Sequence, residues 1–191
     1  PRSLRCQAKC AGVAVGRGAR WDPDGGELGT LGWTCSGAWD ISDAGHAVGL
    51  FHNGSPVFQE RSLVWLAQAA YGLPVGMNEL GTLDNGLTKA LSINNNGQVV
   101  GESRVGGVPH AFVWDNSVMT DLGTLDGQTT RAHAINDSGR IAGASRLGAN
   151  DQAVYWENLS INDLGMLIGT TSTAYHIGAT NEIVGTAEVS G

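Results

Sequence analysis

A chain of 191 residues is long enough for one domain with a real core, or for two small ones. Its formal net charge of -7 argues against nucleic acid, whose phosphates call for basic patches, and no apolar run reaches membrane-spanning length. The 29 glycines are about twice the average share, as expected of a chain rich in tight turns.

Residues 1–11 lack the long apolar run of a signal peptide and match nothing downstream. They read as a tag or non-repeat leader, with 12–191 as a single repeat domain. Cys6, Cys10 and Cys35 are an odd number, so at least one thiol stays outside any internal disulfide. A Cys-x-x-x-Cys with no second pair is a weak metal signal.

From residue 28 the text repeats. Leu28, Leu80, Leu122 and Leu164 each open a Leu-Gly-x-Leu, at steps of 52, 42 and 42 residues. Ten residues on stands Ala38, Ala90, Ala132 or Ala174; twenty-one on stands Gly49, Gly101, Gly143 or Gly185. A fixed period of this size marks a repeat architecture. Each unit reads as four short strands. They are Leu-Gly-x-Leu, an Ala-x-x-Ile segment, a segment such as Gln98–Gly101, and a tryptophan segment such as Ala111–Trp114. Ile93–Gly97 and Ile135–Gly139 read as tight hairpin loops, where Asn and Asp bond locally and Gly accepts positive φ. Val99-Val100 and Phe112-Val113-Trp114 are apolar on both faces, as in a sheet covered on both sides. Four-stranded antiparallel units of this period fit the blades of a β-propeller better than a β-solenoid, whose units are usually shorter.

The expected architecture is all-β and propeller-like, most simply four blades of four strands. Closure of the ring is also expected. The last unit lacks a tryptophan strand after Gly185, while Ala19-Arg20-Trp21 is a spare one. Pairing the two would hide the edge strands. Trp21, Trp65, Trp114 and Trp156 are expected to be equivalent packing residues between blades. The unit starting near Leu28 departs from the others, with 15 residues from Trp65 to Leu80 where the matching steps are eight. Within it, Val64–Tyr71 reads as a short helical turn ended by Gly72 and Pro74.

Asp121-Leu-Gly-Thr-Leu125, Ala90-Leu-Ser-Ile-Asn94, Gln98-Val-Val-Gly101 and His110-Ala-Phe112 with Trp114 resemble the HAF repeat family of bacterial extracellular repeat proteins. The resemblance spans Gly26 to Gly185. It implies a secreted, propeller-like protein, extracellular or periplasmic, and brings no catalytic motif. Other units read Arg61-Ser-Leu63 and Gln152-Ala-Val154, so the fold does not need the histidine of His-Ala-Phe.

Four acids precede Leu-Gly: Glu27, Glu79, Asp121 and Asp163. Near the axis of a ring they would hold a hard cation such as Ca²⁺; otherwise each bonds turn amides at its own strand. His46 stands where other units have Gln98, Arg140 and Glu182, and reads as solvated. His133 shares a position with Trp39, Leu91 and Tyr175, which reads as packing. His52 and His110 fall in or beside the loops between the third and fourth strands of adjacent units. With Ser55 they form the candidate catalytic set of a small hydrolase. Gly-x-Ser-x-Gly does not occur, and Gly101-Glu-Ser103 and Gly143-Ala-Ser145 recur at one repeat position, as scaffold residues do. Trp33 is the best placed exposed aromatic, and with His52, Arg104 and His110 it makes the candidate ligand-binding set.

The leading functional reading is a binding or interaction module for a small molecule, glycan or protein, with no cofactor, no nucleic acid and no membrane span. The alternative is an esterase- or glycosidase-type hydrolase on the same loops. The functional face is expected at the end carrying the loops after Gly49, Gly101 and Gly143, since the hairpins at the other end are nearly uniform.

Overall fold

The computed structural model describes the backbone of residues 18–20, 26–29, 35–52, 60–165 and 169–188, and the side chains of 36–51, 61–165 and 169–188. A two-stranded sheet comes first, β1 (Gly18–Arg20) with β2 (Gly26–Gly29). Three four-stranded antiparallel meanders follow. The first is β3 (Cys35–Ile41), β4 (Ala47–His52), β5 (Glu60–Leu66) and β6 (Gly76–Glu79). The second is β7 (Thr88–Ile93), β8 (Val99–Val105), β9 (Val108–Asp115) and β10 (Val118–Asp121). The third is β11 (Thr130–Ile135), β12 (Ile141–Leu147), β13 (Asn150–Glu157) and β14 (Ser160–Asp163). A two-stranded sheet of β15 (Ser172–Ile177) and β16 (Ile183–Ala187) ends the row. Among the described residues no helix is long and apolar enough to cross a membrane.

The Ala-x-x-Ile strands β3, β7, β11 and β15 lie side by side and form the inner edge of the row. Apolar residues fill the space between sheets, as strands apolar on both faces require. Val64, Leu66 and Leu80 pack with Ile93, Val99, Phe112 and Trp114; Val113 and Leu122 pack with Ile135, Ile141, Val154 and Trp156. Trp114 and Trp156 are buried, but Trp65 is only half-buried, against the small Ala38–Ala47 cluster. The expected equivalence of the tryptophans therefore fails at Trp65, and Trp21 lies outside the described residues.

The expected closed four-bladed ring is not formed. Ala19 pairs with Glu27 as Leu63 pairs with Glu79 and Val154 with Asp163, so β1 and β2 are the outer half of a blade. By the same register β15 and β16 are an inner half. The two halves make separate sheets. β1 is engaged on its own side of the row, against β3, as β5 lies against β7. On β16, Val184 is 59% exposed, whereas Val100 and Ala142 at the same repeat position are fully buried. The fold is a row of propeller-like blades, open where closure was expected.

The fourth strand of each meander is also displaced. In the three meanders it ends at the acid before Leu-Gly-x-Leu. Asn116-Ser117 and Asn158-Leu159 make the preceding two-residue hairpin turns, with φ of 47° and 68°, and 51° and 65°. These are type I′ turns without the glycine that usually marks them. Leu122 then crosses to the next blade, where Trp156 Nε1–H donates to its carbonyl at 2.9 Å. The expected helical turn is likewise not found. β5 runs to Leu66, and Ala70 and Leu73 exchange backbone hydrogen bonds around a two-residue turn at Tyr71-Gly72.

Candidate functional site

Each inner strand carries one residue too many for its partner. Ala38 pairs with Gly49 and Asp40 with Val48, which leaves Trp39 unpaired. Leu91, His133 and Tyr175 are the extra residues of β7, β11 and β15. Such a bulge re-aims the side chain and disturbs the ladder locally. It also explains the glycines at 49, 101, 143 and 185. A Cβ on any of them would strike the carbonyl oxygen of Gly37, Lys89, Arg131 or Thr173 just before the bulge.

At the free inner edge the bulges present four side chains in order: Trp39, Leu91, His133 and Tyr175. Trp39 is 41% exposed and Tyr175 54%. The imidazole of His133 stacks on Tyr175, centroids 5.3 Å apart and planes at 24°. Its Nδ1 lies 2.8 Å from the Ala174 carbonyl. A carbonyl only accepts, so Nδ1 carries a proton. Glu102 accepts from Arg131 Nε–H at 2.6 Å, with Lys89 Nζ 4.0 Å away on its other oxygen. The edge is thus a partly aromatic strip beside a salt-bridged one.

The hairpin turns flanking this edge are bonded to one another. Asn95 Nδ2 donates to Asp43 Oδ2 at 2.8 Å and to Asp137 Oδ2 at 2.9 Å. In the backbone, Asp43 N–H donates to Asn95 Oδ1 and Asn95 N–H to Asp137 Oδ1. Among the described residues there is no group of three His, Cys, Asp or Glu able to hold a metal ion.

The residues singled out from sequence that the structure describes stand on several different strands. Trp33 and Ser55 lie outside the described residues. His52 pairs with Cys35 and Glu60 in the backbone, and its side chain lies outside the described set. His110 sits within β9, opposite Ser103, and its Nδ1 lies 2.8 Å from Asp121 Oδ2. Arg104, next to Ser103, therefore faces the other side of the sheet from His110. Glu79, Asp121 and Asp163 stand on outermost strands of three different sheets, and Glu27 stands on β2, so no carboxylate ring surrounds an axis. Asp121 and Asp163 instead accept the amides of Gly123 and Gly165 at 2.8 and 2.7 Å. Ser103 and Ser145 are buried, with their hydroxyls accepting from the amides of Leu83 and Leu125.

Of the loops expected to vary, those after Gly101 and Gly143 are short and alike, and residues 53–59 of the one after Gly49 lie outside the described residues. Gly106-Gly107 and Gly148-Ala149 are two-residue turns, capped at the same repeat position by Asp84 and Asp126. The Gly148 amide is the main reason the Asp126 carboxyl lies below its ordinary pKa. His46 is buried rather than solvated. It is 2% exposed, because the longer loop of its blade covers it, and its Nδ1 accepts from Ala67 N–H at 3.1 Å. Trp39 and Tyr175 differ in the opposite sense, being exposed where packing was expected. A position that accepts Trp, Leu, His and Tyr alike is the available signal that no core packing fixes the side chain there.

No family model matches this sequence, and no curated protein matches it. Among solved structures the fold is similar to that of TolB from Acinetobacter baumannii, with a TM-score of 0.58 at 15% identity. The match covers 80% of this chain and 37% of that one, so this chain corresponds to well under half of that protein's length.

Proposed function

We propose that this chain is a binding module whose ligand surface is the inner edge of its blades. The observation that carries the reading is the exposure of Trp39 and Tyr175 at a repeat position that the fold fills equally well with Leu91 or His133. Exposed aromatics at the two ends of the strip, one of them stacked on an imidazole, suit a flat ligand such as a sugar ring, held by stacking with little loss of side-chain freedom. The resemblance of the repeat to the HAF family supports an extracellular or periplasmic setting, where glycans are plentiful. Screening immobilised glycans and then repeating the screen with Trp39→Ala and Tyr175→Ala tests it. Each variant is expected to lose at least about tenfold in affinity with its fold intact. Undiminished binding by both would remove the inner edge as the site.

A further inference from the structure

Two neighbouring clefts in this molecule are built at the same repeat positions, and they differ in what fills them. Between the first and second blades the cleft is filled by the chain itself. Tyr71, at the tip of its two-residue turn, inserts its ring against His46 at 5.8 Å and edge-on to Trp114 at 6.0 Å. The ring lies over Gly97 so closely that a Cβ there would collide with it. Ser117 Oγ–H holds the turn by donating to the Tyr71 carbonyl at 2.9 Å.

Between the second and third blades the counterparts of these residues are Gln98, Gly139, Trp156 and Leu159, each 42 residues on, or 52 for Gln98. Here the linker from β9 to β10 is the short Asn116-Ser117 turn, and no loop reaches in. These residues line a cavity of about 640 Å³. A Cβ on Gly139 would meet nothing closer than Gln98 Oε1 at 3.5 Å. Arg140 also lines the cavity, with Nη2–H donating to Glu157 at 2.8 Å. Its buried Nε–H has no acceptor among the described residues. The cleft therefore leaves open the space that the Tyr71 ring fills one blade earlier, beside an arginine whose Nε–H is unpartnered among the described residues.

We infer that the cleft between the second and third blades docks a tyrosine presented at the tip of a turn by a partner protein, in the manner of Tyr71 one blade earlier. The site is separate from the inner edge, and either can fail without the other. A cyclised peptide of residues 68–74, Gln-Ala-Ala-Tyr-Gly-Leu-Pro, is the probe, with its Tyr→Ala version as control. The wild-type protein is expected to bind one tyrosine peptide, with amide shifts at Gly139 and in the Trp156 indole, and none of the control. Thr120→Trp, which places a large ring on the cavity wall, is expected to weaken binding at least about tenfold. Tyr71→Ala vacates the first cleft and is expected to raise the stoichiometry from one to two. Equal binding of both peptides, or binding that survives Thr120→Trp, would overturn the assignment. So would a wild-type dimer in solution that Tyr71→Ala abolishes, since the occupant would then be a second copy of this chain.

Discussion

His110 and Asp121 face each other across β9 and β10, Nδ1 to Oδ2 at 2.8 Å, and the same two repeat positions hold Arg61 and Glu79 at 3.2 Å one blade earlier. A contact made by Arg and Glu in one blade and by His and Asp in the next is accounted for by the blade itself. Partly exposed pairs of this kind contribute about 0–1 kcal/mol. His110→Gln, which installs the residue of the third blade, is expected to lower stability to urea by less than about 1 kcal/mol and to leave ligand binding unchanged. Lost binding in a folded variant would restore His110 to the site.

Trp114 and Trp65 occupy one repeat position in unlike surroundings. Trp114 is 2% exposed in the core between the first two meanders, with Tyr71 on its edge; Trp65 is half-buried beside alanines. Trp114→Ala is expected to cost about 3–5 kcal/mol, the range for deleting a large buried aromatic. Trp65→Ala should cost clearly less. Equal losses in urea titrations would mean that the space before the first full blade is packed as tightly as the others.

The sequence made the blade legible because its signals are local and repeat. Ala-x-x-Ile, Val-Gly and the tryptophan segment each fell on a strand, and Ile93–Gly97 and Ile135–Gly139 each made a hairpin. What it concealed depends on register or on distant partners. Nothing in Ala38-Trp39-Asp40 announces a bulge, yet that one-residue slip turns Trp39 to solvent. Leu159 at positive φ defies the usual preference, so the residues give no sign of the turn before β14 or of an outer strand that ends ahead of Leu-Gly-x-Leu. Closure was inferred from counting strands, but counting does not say which neighbour a strand joins, and β1 joins β2. The Tyr71 cleft was invisible because its walls come from residues far apart in sequence.

Burial of His46 beneath the Tyr71 turn makes that loop sensitive to acid. Desolvation holds the imidazole below its ordinary pKa of 6.5, and its Nδ1 is already used as an acceptor for Ala67 N–H. Between the depressed folded pKa and 6.5 the unfolded chain binds more protons than the folded one. Stability from this residue is therefore complete above 6.5 and lost as pH falls through the folded pKa. The urea midpoint should be lower at about pH 5 than at about pH 7.5, with a smaller difference in His46→Gln, which carries the residue of the second blade. A variant with the wild-type pH slope would show that other groups carry it.

Asn95 stands between Asp43 and Asp137 and is the donor for both carboxylates, at 2.8 and 2.9 Å. An amide is the one side chain of this shape that can serve here. Its oxygen takes the Asp43 backbone N–H at 2.7 Å while its nitrogen neutralises two acceptors from different blades. Asn95→Asp keeps the size and the accepting oxygen but removes both donors and sets a third carboxylate between two others. Two hydrogen bonds to charged groups are lost and two repulsions gained, moderated by solvent because the turns are exposed. The expected cost at neutral pH is about 1–3 kcal/mol in urea unfolding. Repulsion between exposed charges is screened by salt, so part of that loss should return at high ionic strength. Asn95→Ala loses the same donors without the added charge, and its deficit should respond to salt much less. If the two variants were equally destabilised and equally insensitive to salt, the bridge between blades would be working through packing of the turns and not through the shared amide.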